Sequence, residues 1–359
     1  MSKYQCLESI NSLYIEHTEL GYSATPCCLY KGQYDGHYVD KIEDLKDSEH
    51  LNQIREQFKK DWKRPECNDC IMKEQMGARS KRQSSLIRGE VGITNWDIRP
   101  GNTCNLKCVM CNPWNSSKWY EDIDIFKKYS NLMINEKNRQ AREGIDWDYI
   151  YKASIDKAEK IYIAGGEPFY MKGVHKFCKL LSQHEWNCKN TEIQIQTNGV
   201  SNTDEFIETL KKFKKLSFSI SIDGWGSVNE LIRYPTDHNK FCEHTQQLVD
   251  LDCMLLFFNI TVQAMNLPNI DLLVSKLQTK WNGRYDIHKL TRPAHLAVDC
   301  LKPHVVEKVL DTTKVESLKT FYKDYEYSEE RNRTMKRLLI DLDKKRGTDS
   351  KKIIPWCFE

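Results

Sequence analysis

The amino-acid sequence predicts an α/β fold: a partial (β/α)6 parallel barrel, with a small cysteine-rich region before it and a helical extension after it. Three observations lead to this prediction. Short strand patterns alternate with helical lengths from residue 93 onward, the strands alternate apolar and polar residues, and eight of the 14 cysteines fall within the first 111 residues. We therefore expect three domains, at residues 1–90, 91–300 and 301–359.

The strand and helix patterns follow each other at a steady pace. Strands are predicted at 95–99, 160–164, 192–197, 216–222 and 257–262, with a weaker sixth at 295–298. Amphipathic helical stretches lie between them, for example at 205–213 and 241–251, and further helices are predicted at 51–62, 315–325 and 329–345. This alternation is typical of a parallel sheet whose strands are joined by crossover helices.

Each predicted strand has one apolar and one polar face. In the fourth strand, Phe218 and Ile220 alternate with Ser219 and Ser221, and the strands at 192–197 and 257–262 follow the same pattern. A filled barrel carries Val, Ile and Leu inside. A polar inner face therefore favours an open, incomplete barrel around a polar ligand. The alternative is a one-sided open sheet whose polar face meets water.

Composition and charge exclude several classes of protein. The 359 residues include 54 Lys and Arg against 51 Asp and Glu, a net charge of +3, which gives little support to a nucleic-acid binder held by phosphate contacts. No apolar stretch approaches the roughly 18 residues of a membrane span. The first 20 residues carry no basic stretch followed by an apolar one. We expect a cytoplasmic protein whose reduced cysteines hold metal or do chemistry.

Three cysteines follow the first predicted strand at spacings of four and three: Cys104, Cys108 and Cys111. Three thiolates on one short loop can wrap a metal cluster. A fourth cysteine is absent nearby in the sequence, so three irons of a four-iron cluster would be ligated and one left open for a substrate or cofactor. Zinc is the competing interpretation, although zinc sites usually pair two CxxC-type units.

This triplet resembles the cluster motif of the radical S-adenosylmethionine (radical SAM) superfamily, and later features fall where that family places them. The segment Gly165-Gly166-Glu167 ends the second strand and resembles the family's GGE motif. The resemblance implies that its backbone and carboxylate hold the methionine amino group of S-adenosylmethionine. It covers roughly residues 93–300.

Polar residues at the ends of the third and fourth strands extend the resemblance. It implies that they contact the ribose and the carboxylate of the bound cofactor; they are Gln196, Asn198, Ser221 and Asp223. Arg233 follows shortly after, and a guanidinium can grip a carboxylate with two hydrogen bonds. These residues lie at the carboxyl ends of strands, the edge where parallel α/β barrels build active sites.

A second cysteine group precedes the barrel. It contains Cys6, the pair Cys27-Cys28, and Cys67 and Cys70, and it resembles an auxiliary iron–sulfur domain of the SPASM/twitch type. The resemblance implies an auxiliary cluster held by Cys6, Cys27, Cys67 and Cys70, with Cys28 as a substitute for Cys27. Four thiolates would close this cluster, making it an electron relay or a structural element. A zinc site on the same thiolates is the alternative.

The resemblance implies an enzyme. A [4Fe–4S] cluster would reductively cleave S-adenosylmethionine to a 5′-deoxyadenosyl radical, which abstracts hydrogen from a substrate. The substrate is expected to be a peptide, a protein side chain or a small molecule, and the electron donor a flavodoxin or ferredoxin. The competing hypothesis is a non-catalytic interaction protein stabilised by zinc or by an iron–sulfur cluster.

Overall fold

The computed structural model of the chain describes residues 5–18, 20–30, 37–75, 77, 79–88, 92–130 and 141–359. Its fold is α/β, with an eight-stranded and mostly parallel sheet whose strand order is β2-β1-β3-β4-β5-β6-β7-β8. The strands are β1 (Ser12–Thr18), β2 (Gly21–Thr25), β3 (Asn95–Arg99), β4 (Lys160–Ile163), β5 (Glu192–Thr197), β6 (Lys215–Ser221), β7 (Leu255–Val262) and β8 (Arg284–Lys289).

Helices occupy most of the sequence between and after the strands. In the described part of the chain they are α1 (Glu8–Asn11), α2 (Glu49–Lys60), α3 (Asn68–Gln75), α4 (Lys81–Arg88), α5 (Ile123–Tyr129), α6 (Trp147–Ser154), α7 (Lys172–Leu181), α8 (Glu185–Asn190), α9 (Asp204–Leu210), α10 (Ser227–Ile232), α11 (His238–Val249), α12 (Ile270–Trp281), α13 (Pro303–Thr312), α14 (Glu316–Tyr322), α15 (Glu329–Arg346) and α16 (Ser350–Ile353).

The chain divides into two compact units. Unit 1 comprises Met1–Asn102, Ala141–Gln196 and Thr203–Ser217, and unit 2 comprises Thr103–Gln140, Thr197–Asn202 and Phe218–Glu359. The predicted domain boundary between residues 90 and 91 lies outside the described residues.

Unit 1 contains an antiparallel hairpin of β1 and β2, with β1 also parallel to β3. Strands β4 and β5 continue the parallel pairing, with Tyr162 opposite Gln194. Along β5, Ile193 and Ile195 are fully buried while the polar residues between them are half-buried. The predicted alternation of faces is therefore present in this strand.

Unit 2 contains the parallel pair of β7 and β8, with Ile260 opposite Ile287. Phe258, Ile260 and Val262 are fully buried, and the residues that alternate with them are only half-buried. The five main strand predictions are confirmed to within two residues at each end.

The predicted sixth strand is wrong. Residues 295–298 lie in two short 3₁₀ turns, Ala294–Leu296 and Val298–Cys300, and the strand is instead β8. Leu296 and Val298 are buried in the core by these turns, but they make no strand pairing. The apolar residues of this segment therefore reflect burial and not a strand. Strand β8 alternates Tyr285 and Ile287 with polar residues, but both of its faces are half-buried or exposed.

The helix predictions are confirmed, and local sequence explains the helix ends. Helix α2 starts after Ser48, whose hydroxyl accepts the Leu51 N–H at 3.3 Å, and it buries Leu51, Ile54 and Phe58 along one stripe. Helix α15 ends at Arg346 and is capped by Gly347, whose φ of +68° lies in the left-handed region that glycine adopts without strain. Within the described residues, no helix combines the length and the apolar character needed to cross a bilayer.

Candidate functional site

The loop that carries Cys104, Cys108 and Cys111 lies in unit 2. Its backbone pairs with the segment after α10: the Lys107 N–H donates to the Tyr234 carbonyl at 2.7 Å and the Val109 N–H to the Ile232 carbonyl at 2.8 Å. These two bonds lie on either side of Arg233. They fix the cysteine loop beside that residue.

Aromatic and hydroxyl side chains hold the same loop from within. The Trp119 indole N–H donates to the Cys108 carbonyl at 2.9 Å, and the Ser116 hydroxyl donates to the Leu106 carbonyl at 2.5 Å. The loop therefore keeps its shape through backbone carbonyl groups.

A buried ionic network supports the loop. Asp122 is fully buried and accepts hydrogen bonds from Lys107 Nζ at 2.9 Å and Arg346 Nε at 2.8 Å. Lys107 belongs to the cysteine loop, and Arg346 is the last residue of α15. Because neither cation is more than 9% exposed, both need a carboxylate partner: Arg346 has Asp122, and Lys107 has Asp122 and, at 3.1 Å, Glu121.

The thiols of the loop lie in an apolar but cation-flanked environment. Burial raises the pKa of Cys111 to about 12, the Cys108 thiol adds to that increase, and Arg233 opposes it. Burial also raises the pKa of Cys108, where Arg233 and Arg346 both favour the thiolate. A metal that binds here must displace protons, and the two guanidinium groups favour the resulting negative charge.

Asn198 is held next to the cysteine loop. Its Nδ2 donates to Asn105 Oδ1 at 2.7 Å, and Asn105 Nδ2 in turn donates to the Ser201 hydroxyl at 2.8 Å. Asn105 lies between the first two cysteines. The structure therefore brings Asn198 together with the three-cysteine loop, as expected of residues that share a site.

Asp223 and Arg233 form a buried ion pair. Arg233 Nε lies 2.7 Å from Asp223 Oδ2, and Asp223 Oδ1 accepts the Thr261 N–H at 2.7 Å. Burial raises the pKa of Asp223 and Arg233 lowers it. Ser221 precedes this carboxylate by two residues and is itself 7% exposed. The guanidinium thus has a carboxylate partner within the chain, in addition to any cofactor carboxylate.

The Gly165-Gly166-Glu167 segment belongs to unit 1. Gly165 and Gly166 have φ values of +94° and +55°, and a Cβ on Gly165 would lie 3.2 Å from Arg99 Cδ. Glu167 is 1% exposed, and its Oε1 accepts the Phe169 N–H at 3.0 Å. The turn thus requires glycine and holds a buried carboxylate at a fixed place. Gln196, also in unit 1, accepts the Tyr162 hydroxyl proton at 2.5 Å.

The four cysteines of the predicted auxiliary set line one small cavity in unit 1, of about 20 Å³. They come from three separate segments, and they are Cys6, Cys27, Cys67 and Cys70. Phe58 and Trp62, 3% and 8% exposed, pack in the same cluster of buried residues. This apolar packing assembles the four cysteines.

Their thiols influence one another. Burial raises the pKa values of Cys6, Cys27 and Cys67 to about 12 each. Neighbouring thiols add to each increase: Cys67 and Cys70 act on Cys6, and Cys27 acts on Cys67. Four thiols around one cavity are the donor set that a closed iron–sulfur cluster requires.

Cys28 has different surroundings from Cys27. The Lys81 ammonium lies 3.6 Å from the Cys28 sulfur and 3.5 Å from Glu8 Oε2. Burial raises the pKa of Cys28, Lys81 opposes it, and the charges of Asp97 and Arg99 also act on this thiol. Of the two adjacent cysteines, Cys27 lines the four-cysteine cavity and Cys28 does not.

Across the residues that the structure describes, no three His, Cys, Asp or Glu side chains form a group arranged to hold a metal ion. Both thiol groups nevertheless have the residue types that iron–sulfur clusters take as ligands: three on one loop, and four around one cavity.

Several supporting residues were not predicted. Asn105 and Lys107 lie inside the cysteine motif, so their proximity to the thiols could be predicted from the spacing of the cysteines. Asp122 and Arg346 are 224 positions apart, and no local pattern links them. Lys81 belongs to a basic run that resembles an ordinary solvated surface.

These features define an α/β protein with a three-cysteine loop whose thiols lie beside a buried arginine. Residues 98–263 match the model of the radical SAM superfamily, a span somewhat under half of the chain. This part of the chain therefore matches a radical SAM domain, the family that the cysteine triplet and the Gly-Gly-Glu segment resemble. No curated protein matches the sequence.

Solved structures also resemble the chain. One is native anSMEcpe with bound AdoMet and Cp18Cys peptide, at 17% identity and a TM-score of 0.40, covering 63% of this chain and 58% of that one. Another is a polyhistidine-tagged anSMEcpe with bound AdoMet, at 16% identity and a TM-score of 0.43, covering 64% and 59%. Streptococcus suis SuiB bound to precursor peptide SuiA gives 14% identity, a TM-score of 0.39, and coverage of 72% and 49%. The chain thus spans about half to three fifths of their lengths.

Proposed function

We propose that the chain is a two-cluster radical SAM enzyme. The observation that carries the proposal is the cysteine loop of unit 2, which presents three thiols on a backbone fixed on either side of Arg233. A [4Fe–4S] cluster on Cys104, Cys108 and Cys111 would keep one iron without a protein ligand, where S-adenosylmethionine binds. When bound and reduced, this pair supplies a 5′-deoxyadenosyl radical that abstracts hydrogen from the substrate.

The chain's own residues bind and orient the cofactor in this proposal. Glu167, buried at a fixed turn, accepts hydrogen bonds from the methionine amino group, and the Gly165-Gly166 backbone allows close approach. Arg233 offers its remaining guanidinium N–H groups to the methionine carboxylate while Asp223 holds Nε. Asn198, Gln196 and Ser221 supply hydrogen bonds to the ribose. The ionic network at Asp122 keeps the loop rigid while the cofactor binds and leaves.

The four-cysteine cavity of unit 1 would hold an auxiliary cluster. Its proposed ligands are Cys6, Cys27, Cys67 and Cys70, with Cys28 as a substitute for Cys27. Cys27 is preferred because it lines the cavity and Cys28 does not. Four thiolates leave no open iron, so this cluster would relay electrons or stabilise the fold. We assign it to a SPASM/twitch-like domain at residues 1–90, before a partial barrel at 91–300 and a helical extension at 301–359.

The substrate is proposed to be a peptide or protein side chain, with a small molecule as the second possibility. The preference for a peptide rests on the resemblance of the four-cysteine region to auxiliary domains of peptide-modifying enzymes. A flavodoxin or ferredoxin would supply the electron. The setting would be the cytoplasm, whose reducing conditions keep all 14 cysteines available as thiols.

The substitution Cys108→Ala tests the proposal. Anaerobically reconstituted protein should form 5′-deoxyadenosine from S-adenosylmethionine under dithionite, and the variant should form none because the loop loses one of three ligands. The variant should keep the absorbance of the four-cysteine cluster. Cys188→Ser is the matched control, since Cys188 lies in α8 of unit 1 and belongs to neither cysteine group.

Turnover that survives in Cys108→Ala would remove the three-cysteine loop from the active site. A colourless protein that carries zinc instead of iron would favour the competing hypothesis, a metal-stabilised interaction protein. Metal analysis of the same samples separates these two results.

A further inference from the structure

Unit 2 contains a cavity of about 510 Å³ that none of the proposed cofactor contacts explains. Its wall includes the loop segment from Val109 to Asn112, and therefore Cys111. Pockets for small ligands have volumes of roughly 300–1,000 Å³, with largely apolar walls and a few polar groups. The cavity is thus large enough for a side chain together with adjoining backbone.

One side of the cavity is a rigid aromatic wall. Phe126 packs edge-on against Trp114 and Trp119, with ring centroids 5.7 and 5.9 Å apart. Trp119 is 2% exposed, and its indole N–H is fixed on the Cys108 carbonyl. Leu338 of α15 and Met110 add apolar surface. Pre-organised aromatic surface of this kind is where apolar side chains bind with little entropy loss.

The positive charge of the cavity comes from Arg292. His295 also lines it, but burial lowers the pKa of His295 and favours the neutral imidazole, and no Asp or Glu occurs among the described lining residues. Asp341 contacts the lining residue Tyr129, and its carboxylate already accepts the Tyr129 hydroxyl and the Lys128 ammonium, both at 2.6 Å. A bound molecule with an anionic group would therefore meet a guanidinium that can hold a carboxylate.

We propose that this cavity binds the substrate, as a peptide segment in which an aromatic or large aliphatic side chain stands next to an acidic one. The apolar side chain packs on Phe126, and the carboxylate pairs with Arg292. The proposal rests on the proposed function, because a pocket that shares a wall with Cys111 is useful to an enzyme whose chemistry occurs at that loop. It adds the class of substrate, which the sequence alone leaves open.

The probe is the capped tetrapeptide Ac-Gly-Phe-Asp-Gly-NH2, titrated into reconstituted, SAM-loaded protein in a calorimeter. We expect binding that weakens about tenfold when Asp is replaced by Asn in the peptide, and about tenfold in Arg292→Gln. In Arg292→Gln, the Asp and Asn peptides should bind alike. Arg284→Gln is the matched control, since Arg284 is an exposed arginine of β8 outside the cavity.

Phe126→Leu tests the apolar part with a change that keeps the core filled. It should weaken the Phe peptide several-fold and the Leu analogue less. Equal affinity of the Asp and Asn peptides in the unaltered protein, or no binding of either, would overturn the inference. So would 3-phenylpropionate binding as tightly as the peptide, because the site would then favour a small aromatic acid.

Binding is read as heat and needs no turnover, so the two proposals fail separately. If the unaltered protein forms 5′-deoxyadenosine but binds no peptide, only the substrate assignment is wrong. If it binds the peptides with the expected pattern but forms no 5′-deoxyadenosine, only the proposed function is wrong.

Discussion

The two cysteine groups of this protein are assembled in different ways. The three cysteines of unit 2 lie on one loop of eight residues, whereas the four cysteines of unit 1 come from three segments between residues 6 and 70. The first group needs only a loop of fixed shape. The second needs the surrounding region to fold before its thiols can meet.

The surroundings of the two cysteine groups also differ. Hydrogen bonds and the ions Lys107, Asp122 and Arg346 hold the three-cysteine loop. The four-cysteine cavity is held by apolar packing, with Phe58 and Trp62 at its wall. The first environment suits a site that must accept and release a charged cofactor. The second suits a closed cluster that remains in place.

The largest expected effect separates Cys27 from Cys28. Cys27→Ser removes a thiol from the four-cysteine cavity and should abolish the auxiliary cluster, leaving about four irons of about eight by the two-cluster proposal. Cys28→Ser changes a thiol beside Lys81 and should keep the full iron content. Iron and sulfide analysis of both reconstituted variants provides the measurement. If Cys28→Ser loses the auxiliary iron and Cys27→Ser keeps it, Cys28 is the ligand.

Loss of apolar packing should destabilise the four-cysteine region of unit 1 and leave the three-cysteine loop of unit 2 unaffected. Phe58→Ala deletes a buried ring from the wall of the four-cysteine cavity and should lower stability by about 3–5 kcal/mol. Auxiliary iron should be lost faster under a chelator than iron from the three-cysteine loop. Phe58→Leu keeps most of the volume and should restore retention. Equal loss of iron from both groups would show that they do not depend on separate packing.

Loss of a buried charge should instead destabilise the three-cysteine loop of unit 2. Asp122→Asn removes the carboxylate that Arg346 contacts, while Lys107 keeps Glu121 at 3.1 Å, and it should destabilise the protein by about 3 kcal/mol. Chemical denaturation of the apo protein measures this. Asp124→Asn is the control: that carboxylate pairs with Lys345 at the surface, and its loss should change stability by less than about 1 kcal/mol. Similar effects of both variants would contradict the buried network.

The strands that could be predicted alternate apolar and polar residues. In β5 and β7 burial follows that alternation, whereas in β6 the serines of the polar face are buried as well. Strand β8 alternates Tyr285 and Ile287 with polar residues, but neither of its faces is fully buried. Strands β1 and β2 were not predicted either, although Leu13 and Ile15 are apolar at alternate positions.

Part of the candidate site could also be predicted from the sequence, and part could not. The spacing of Cys104, Cys108 and Cys111 indicates a cluster loop directly, since all three ligands are neighbours in sequence. The sequence does not distinguish Cys27 from Cys28, because they are adjacent; in the structure Cys27 lines the four-cysteine cavity and Cys28 does not, which is the basis of our preference for Cys27. The 510 Å³ cavity was equally hidden: its walls combine residues 109–130, 292–295 and 338.

The central claim is that the three-cysteine loop leaves a coordination position for S-adenosylmethionine. The most direct measurement is the electron paramagnetic resonance spectrum of dithionite-reduced Cys27→Ser protein, in which only the loop's cluster should contribute. We expect saturating S-adenosylmethionine to change the g values and line shape of that signal, because the nucleotide would bind the open iron of the loop's cluster. A spectrum that is identical with and without the nucleotide would contradict it.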